Sequence, residues 1–241
     1  MTTRAYPVRI EDDAPQSPRE KSLDIAEPPI PDERPRRILN IVVALVGIII
    51  TVPVMFVIAL LVKMSSPGPV RFVQTRVGRD RRRRRTGDNT GTRHRDLGGE
   101  PFRIYKFRTM HHSSDGTQRW ASAADPRITP IGRVLRQFRF DELPQLFNVL
   151  RGDMNVVGPR PEQPDIFERL RGRITRYTRR QRVRPGITGW AQINLAYDQT
   201  EEDARRKLQY DLDYIGRQSL TEDLRIMAKT LPVMFGRRGA H

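Results

Sequence analysis

Residues 38–62 read ILNIVVALVGIIITVPVMFVIALLV and contain no charged side chain. A helix that crosses a bilayer needs roughly 20 predominantly apolar residues, so this run is long enough to enter a membrane. Basic residues flank it on both sides, with Arg36 and Arg37 before it and Lys63 and Arg71 after it. Because positive charge favours the cytoplasmic side, equal basicity at the two ends favours a segment whose ends both stay on that side.

Pro53 lies in the second half of the apolar run, where it removes a backbone hydrogen bond and its ring clashes with the preceding turn. A helix that breaks near Pro53 and returns to the face that it entered would satisfy the charge pattern. An ordinary kinked transmembrane helix would satisfy the length and the composition equally well. The residues alone leave both topologies open.

The whole chain is strongly basic. Its 44 Lys+Arg against 28 Asp+Glu give a formal net charge of +16, which indicates an anionic partner such as nucleic acid, anionic lipid or a phosphorylated substrate. The sequence contains no cysteine, so a disulfide framework, a thiolate zinc site and a cysteine nucleophile are excluded. A histidine zinc site and a serine hydrolase are not supported either, since neither the ligand spacing nor a Gly-x-Ser-x-Gly elbow occurs.

The composition divides the chain into three parts. Residues 1–37 mix proline with charge and predict a disordered leader, because such a stretch cannot bury enough apolar surface to offset the entropy of ordering. Residues 38–64 are the predicted membrane segment, and residues 65–241 form the remaining domain. A basic insertion at about 79–100 contains Arg81 to Arg85 and is interpreted as a solvated loop, with contact to anionic lipid headgroups as an additional interpretation.

The remaining domain is predicted to be mixed α/β, of the α+β kind. The stretches PGPVRFVQTRVG at 67–78 and PFRIYKFRTM at 101–110 predict two short strands. Apolar periodicity and start signals predict helices near 131–138, from about Asp141 to Leu150, over 162–173, over 201–215, and after the capping-box pattern Ser219–Glu222. The apolar stripe of the last helix predicts either core or a membrane-surface face.

The segment RQFRFDELPQLFNVLRGDMNVVGPRPE, residues 136–162, carries the residues best suited to chemistry. Asp141 and Glu142 are adjacent acids at a predicted helix start. An aspartate in that position is often only an N-cap, which stabilises a helix by about 1 kcal/mol. Alternatively, one carboxylate can attack phosphorus and its neighbour can hold Mg²⁺. Successive helical residues point about 100° apart, so the two acids would have different roles.

Phosphoryl chemistry also needs cations that offset developing charge. The candidates are Arg136, Arg139 and Arg160, near the acids in sequence, and Lys106 and Arg108 on the second predicted strand. Arg160 lies in the turn Gly158-Pro159-Arg160-Pro161, which is stiff and suited to presenting one guanidinium to a phosphate or a nucleotide edge. In a chain as basic as this one, most arginines are surface charges.

Three motifs in a fixed order carry a resemblance to a known family. They are KFRTM at 106–110, DELPQLFNVLRGDMNVVGPRPE at 141–162 and RPGITGWAQIN at 184–194. The chain resembles, over about residues 38–236, the bacterial sugar transferases, also called monotopic phosphoglycosyl transferases. This resemblance implies a re-entrant membrane helix broken at Pro53, amphipathic helices at the membrane surface, and a catalytic domain on the cytoplasmic face of the bacterial cell membrane.

The resemblance also implies an activity. The enzyme would transfer a sugar 1-phosphate from a UDP-sugar to undecaprenyl phosphate and release UMP, as the first membrane step in assembling exopolysaccharide, capsule, O-antigen or glycoprotein glycan. Asp141 would carry the phosphosugar intermediate, Glu142 would bind the cofactor Mg²⁺, and Lys106 would lie beside them. Inner-membrane lipids are implied partners, nucleic acid is not, and a homodimer is left open. The identity of the sugar is not implied.

The remaining site residues are carried over in the same way. Arg136 would lie near the lipid phosphate, and Arg160 with Pro159 and Pro161 on the uridine diphosphate side. Arg108, in the KFRTM motif, would bind substrate.

Two features depart from the family pattern. Val52 replaces the usual serine before Pro53, which leaves Thr51 as the nearest hydroxyl that can bond a backbone carbonyl at the break. The connection between the two strands is also longer and more basic than usual.

Two other functions compete with a transferase. A membrane-tethered nucleic-acid-binding protein would explain the charge, but aromatic residues make up only 7% of the chain and none interleaves with Arg81 to Arg85. An inactive scaffold for other glycan enzymes is disfavoured by the intact pair Asp141 and Glu142.

Overall fold

The computed structural model describes residues 32–80, 98–111, 125–195 and 200–235, with side chains as far as Val233. Most of the predicted leader and most of the basic insertion lie outside the described residues. The helices are α1 (Glu33–Ser65), α2 (Pro130–Gln137), α3 (Gln145–Arg151), α4 (Pro164–Arg171), α5 (Trp190–Asn194), α6 (Glu201–Arg217) and α7 (Leu220–Phe235). The strands are β1 (Arg71–Val77), β2 (Pro101–Phe107), β3 (Asn155–Val157) and β4 (Gly186–Thr188). This mixture of helices and small sheets confirms the α+β prediction.

Helix α1 contains the apolar run and begins earlier than predicted. Asp32 caps its start by accepting a hydrogen bond from the Arg34 N–H. The predicted leader therefore ends too late, since residues 33–37 are helical. The physical reason is a buried partner, because Arg36 is 4% exposed and donates to Asp223 on α7.

Helix α1 runs from Glu33 to Ser65 with Pro53 inside it, so the chain stays helical through the proline. A change in the direction of α1 at Pro53 stays a prediction. A proline removes one bond of the helical ladder and leaves the bonds on either side. One turn earlier, the Thr51 hydroxyl donates to the Gly47 carbonyl at 2.6 Å, as expected for the hydroxyl nearest to the proline.

Both halves of α1 pack against the rest of the protein. Its buried residues are Arg36, Asn40 and Ala44 in the first half and Met55, Ile58 and Val62 in the second. Between and beside them, large apolar side chains stay exposed, among them Ile49 at 73% and Phe56 at 74%. The helix is long and apolar enough to cross a membrane. Its exposed surface would be stabilised by lipid, at roughly 25 cal/mol for each Å² of apolar area removed from water.

The two predicted strands are confirmed as an antiparallel pair, β1 with β2, in which Phe72 lies opposite Lys106. A second pair was not predicted: β3 and β4 are parallel, with Val157 opposite Thr188. This pair brings the second and third sequence motifs together. A Cβ on Gly186 would lie 2.0 Å from the Gly158 nitrogen, so only glycine fits where these backbones meet.

Helix α2 begins as predicted, with the Thr129 hydroxyl accepting from the Gly132 N–H. The helix predicted from Asp141 is wrong at its start, because α3 begins only at Gln145 and the acids lie in a 3₁₀ turn, Phe140–Glu142. The cause is local: Arg139 is left-handed with φ 55°, which ends the preceding helical path, and Pro144 precedes α3.

Helices α4, α6 and α7 confirm three predictions. In the predicted capping box of α7, the Ser219 hydroxyl accepts from the Glu222 N–H at 3.2 Å. A complete capping box that was not predicted opens α6, between Thr200 and Asp203.

Candidate active site

The 3₁₀ turn between α2 and α3 holds two buried carboxylates, Asp141 at 8% and Glu142 at 5% exposure. Phe140 and Leu143, on either side of them, pack into the cluster formed by the second half of α1 with Phe107 and Leu135. The apolar side chains of this segment therefore face α1, and the two acids lie between them in the sequence.

Glu142 is held by two cations from distant parts of the sequence. Lys106 Nζ on β2 donates to Glu142 Oε1 at 2.7 Å, and Arg160 Nη2 donates to the same oxygen at 2.8 Å. Burial alone would raise the pKa of the Glu142 carboxyl, but Arg160 and Lys106 outweigh it and hold the pKa well below its usual range. Glu142 is therefore ionised at neutral pH.

Asp141 has a different electrostatic environment. Burial raises the pKa of its carboxyl, Lys106 opposes that rise, and the negative charge of Glu142 adds to it. The two neighbouring acids are thus shifted in opposite directions. Such a separation is typical of carboxylates that have different chemical roles.

Arg136 lies in the last turn of α2 and is positioned by the KFRTM segment. Its Nε donates to Thr109 Oγ1 at 3.0 Å, and its Nη2 donates to Met110 Sδ at 3.2 Å. Its charge also lowers the pKa of Asp141, after the larger effects of burial, Lys106 and Glu142. The structure therefore brings Arg136 into the electrostatic environment of the acids.

The turn that carries Arg160 follows β3 and is rigidly held. Pro159 and Pro161 are buried, and the Pro159 carbonyl accepts from the Gly186 N–H at 2.9 Å. Arg160 itself stays partly exposed, with its guanidinium on Glu142. The two prolines therefore shape the turn, and the arginine is the residue that the turn presents.

Arg108 has its partners at the carboxyl end of α1. Its Nη2 donates to the carbonyls of Ser66 at 2.6 Å and Val62 at 3.3 Å, and to Ser66 Oγ at 3.0 Å. Its Nε and Nη1 are buried and have no hydrogen-bond partner within the described part of the chain. An arginine that donates to the last carbonyls of a helix closes its carboxyl end, so Arg108 joins α1 to the motif that supplies Lys106.

Sequence reasoning missed the charged residues behind the site. Glu162 ends the second motif and was given no role, yet it is buried with Arg180, Lys207 and Asp211. The sequence carries no local signal for this group, because its members come from separate elements. That these four charged side chains meet becomes visible only in the fold.

The acids can also be tested for a metal. Within the described residues, no group of three or more His, Cys, Asp or Glu side chains lies together. Asp141 and Glu142 nevertheless offer adjacent anionic oxygens, and Mg²⁺ is commonly held by one or two carboxylates together with substrate phosphates. The donor set therefore fits Mg²⁺ provided that a phosphorylated substrate completes it.

Comparison with known proteins gives a consistent result. The family model described as "Bacterial sugar transferase" matches residues 32–237. A UDP-N-acetylgalactosamine-undecaprenyl-phosphate N-acetylgalactosaminephosphotransferase of Aeromonas hydrophila is 41% identical over 207 residues, which cover 85% of this chain and 44% of that protein.

Two relatives carry the name UDP-glucose:undecaprenyl-phosphate glucose-1-phosphate transferase. The protein of Caulobacter vibrioides is 41% identical over 82% of this chain and 68% of its own length. The protein of Escherichia coli K12 is 39% identical over 86% of this chain and 41% of its own length. The chain thus spans less than half of the Aeromonas and Escherichia proteins and about two thirds of the Caulobacter protein.

Proposed function

Because this chain belongs to the bacterial sugar transferase family, we propose that it transfers a sugar 1-phosphate from a UDP-sugar to undecaprenyl phosphate and releases UMP. The observation that carries the proposal is the buried pair Asp141 and Glu142, in which Glu142 is held ionised by Lys106 and Arg160. The sugar stays unassigned, since relatives of equal identity name different donors. Such a reaction would be the first membrane step of an exopolysaccharide or related glycan pathway.

In the first step, a carboxylate oxygen of Asp141 attacks the β-phosphorus of the UDP-sugar. A new bond forms between that oxygen and phosphorus, the bond from phosphorus to the bridging oxygen breaks, and UMP leaves with the bridging oxygen and its electron pair. The sugar phosphate is then attached to Asp141. Burial supports this role, because a carboxylate that has lost much of its hydration is a better nucleophile.

In the second step, an oxygen of undecaprenyl phosphate attacks the same phosphorus. The bond between phosphorus and Asp141 breaks, which returns the carboxylate and releases undecaprenyl diphosphosugar. Arg136, at the end of α2, is suited to holding the lipid phosphate, since α2 packs against the second half of α1. Arg108 is suited to an indirect contribution, because it joins the end of α1 to this segment.

The charged neighbours support both steps. Lys106 and Arg160 hold the Glu142 carboxylate in place and offset the negative charge that the diphosphate brings. When bound, Mg²⁺ would neutralise charge on the two phosphates, and Glu142 with the substrate oxygens would hold it. We place Arg160 on the uridine diphosphate side of the donor, where its guanidinium, held on Glu142, would also meet the diphosphate.

The contacts of α1 support a re-entrant membrane topology. Arg36, near its beginning, bonds to Asp223, and Ser66, just after its end, bonds to Arg108. A straight helix of 33 residues would be about 50 Å long, and a bilayer core of about 30 Å would separate its ends if it spanned. One domain holds both ends, so we propose that both ends and the catalytic domain lie on the cytoplasmic face of the bacterial cell membrane.

A direct assay tests the proposal. Purified protein in detergent is incubated with Mg²⁺, undecaprenyl phosphate and each of several UDP-sugars, and the release of UMP is measured. Quenching without the lipid acceptor should leave a phosphosugar on the peptide that contains Asp141, detected by mass spectrometry. Absence of UMP release with every donor would overturn the transferase assignment and favour the inactive scaffold.

A further inference from the structure

Arg160, Pro161 and Glu162, at the end of the turn and directly after it, are each held by a cation from a different element. The three contacts are Arg180 Nη2 to the Arg160 carbonyl at 2.9 Å, Arg76 Nη1 to the Pro161 carbonyl at 3.1 Å, and Lys207 Nζ to Glu162 Oε1 at 2.9 Å. The cations come from a second 3₁₀ turn (Tyr177–Arg182), from β1 and from α6. The conformation of the turn is therefore set by the surrounding fold.

Arg180 is the most constrained of the three cations. It is 3% exposed, its Nε donates to Asp211 Oδ2 at 2.8 Å, and its Nη1 donates to the Tyr177 hydroxyl at 2.6 Å. A guanidinium is planar and presents its donors at fixed angles. Once Asp211 and Tyr177 orient two of its nitrogens, the third is aimed at the Arg160 carbonyl.

Stability alone does not account for this arrangement. Burial would raise the pKa of Glu162, but Lys207 and Arg180 outweigh it and hold that pKa at about 2. Glu162 therefore stays charged in the interior, paired with these two cations. Apolar residues of similar volume often serve a fold as well as buried ion pairs do. What apolar residues cannot supply is a directed hydrogen bond to a chosen carbonyl.

Arg160 is thus held at both ends. Its carbonyl accepts from Arg180, and its guanidinium donates to Glu142 Oε1 at 2.8 Å. We propose that Arg180 is a positioning residue for the reaction, which acts through the backbone of Arg160 to keep that guanidinium on Glu142 and on the substrate phosphates. The expected effect of Arg180 on catalysis rests on the proposed function. The positioning of Arg160 by its hydrogen bond from Arg180 does not.

A double-mutant cycle tests whether Arg180 acts through Arg160. Arg180→Lys keeps the charge but loses the fork, so one amine cannot reach both Asp211 and the Arg160 carbonyl. We expect kcat/KM for the UDP-sugar to fall by up to about 100-fold, the scale of a 1 Å misplacement. In the Arg160→Ala background the same change should cost less than about threefold, because the residue that it positions is already gone.

Arg173→Lys is the matched control. Arg173 also joins this part of the chain to α6, donating to Glu201 at 3.3 Å, but it is exposed and its contact does not involve the turn. We expect its activity to match the wild type. An equal fold loss from Arg180→Lys in both backgrounds would overturn the proposal and show a general structural role. Wild-type activity in Arg180→Lys would overturn it too, because the guanidinium would then have no effect on the reaction.

A second measurement does not depend on catalysis. Phenylglyoxal modifies accessible arginine side chains, and peptide mapping by mass spectrometry reports the modification of Arg160. We expect Arg160 to react faster in Arg180→Lys than in the wild type and at the wild-type rate in Arg173→Lys. If phenylglyoxal modified Arg160 at the same rate in Arg180→Lys as in the wild type, Arg180 would not position Arg160 and the proposal would be overturned. Absence of UMP release from the wild type would instead count against the proposed function. The phenylglyoxal reactivity of Arg160 would still show whether Arg180 positions it.

Discussion

Arg36 Nε on α1 donates to Asp223 Oδ2 on α7 at 2.8 Å, across 187 positions of the chain. The Tyr214 hydroxyl joins both partners, accepting from Arg36 and donating to Asp223, each at 2.7 Å. These three side chains are buried, so the link is shielded from water. It fastens the beginning of α1 to the same body that holds its end through Arg108.

The first prediction concerns topology. Cysteines introduced at Ser22 and Thr221 are unique labels, because the chain has no cysteine. Both should resist a membrane-impermeant maleimide in intact spheroplasts and react once the inner membrane is opened, since both ends of α1 contact one domain. Labelling of the Ser22 position alone in unopened spheroplasts would show a spanning helix.

The second prediction uses the same labels on Pro53→Leu. Leucine restores the missing backbone hydrogen bond, so the helix becomes straighter and better able to cross the bilayer. A measurable fraction of the Ser22 position should then become labelled in intact spheroplasts. Val52→Leu serves as the control, because it changes a neighbouring exposed side chain without changing the backbone. Equal labelling of the Ser22 position in both variants would show that Pro53 does not keep α1 from spanning the membrane.

The third prediction concerns the nucleophile. Asp141→Asn should lower transfer by more than about 10³-fold and abolish the phosphosugar adduct, since an amide cannot attack phosphorus. Its melting temperature should equal or exceed that of the wild type. The reason is that burial raises the pKa of the Asp141 carboxyl, so its charge destabilises the folded state and the neutral amide does not. Normal turnover in this variant would end the assignment.

The fourth prediction concerns Glu142. Glu142→Gln should raise the Mg²⁺ concentration needed for half-maximal activity, because an amide oxygen is a weaker ligand than a carboxylate. It should also lower the free energy of unfolding by about 3 kcal/mol, since Lys106 and Arg160 lose the partner that they share. Glu202→Gln, on the exposed face of α6, is the control for both measurements. An unchanged Mg²⁺ requirement would remove Glu142 as the ligand.

The fifth prediction concerns pH and stability through Glu162. Its pKa is about 2 in the folded chain against an ordinary value of 4.5. As the pH falls, the Glu162 carboxylate therefore binds a proton at a higher pH in the unfolded chain than in the folded chain. The contribution of Glu162 to stability is thus present above about pH 4.5 and is lost as the pH falls towards 2. The stability difference between wild type and Glu162→Gln should shrink across that window, by an amount on the order of 3 kcal/mol. Chemical denaturation at successive pH values measures it, and a constant difference would contradict the assignment.

The sequence by itself determined the features that depend on neighbouring residues. The apolar run from Ile38 to Val62 follows from composition and length, and the start of α2 follows from Thr129 and Pro130. The strands β1 and β2 follow from β-branched and aromatic residues between glycine and proline. In each of these cases the deciding interactions lie within a few residues, so the pattern is local.

Local patterns failed where backbone geometry depends on packing. The helix predicted from Asp141 begins at Gln145, because Arg139 takes a left-handed conformation that no sequence period announces. The strands β3 and β4 contain three residues each, which is too short for an alternating pattern to appear. Their pairing needs the close approach of Gly158 and Gly186.

Only the tertiary structure decided which charges meet. Glu142 was a candidate from its position in the motif, but its partners lie 36 and 18 positions away, at Lys106 and Arg160. Arg108 and Lys106 are two residues apart, but Arg108 donates to the carboxyl end of α1 and Lys106 donates to Glu142. Ion pairs depend on distance in space and on shielding from water, and in this chain both are properties of the folded domain.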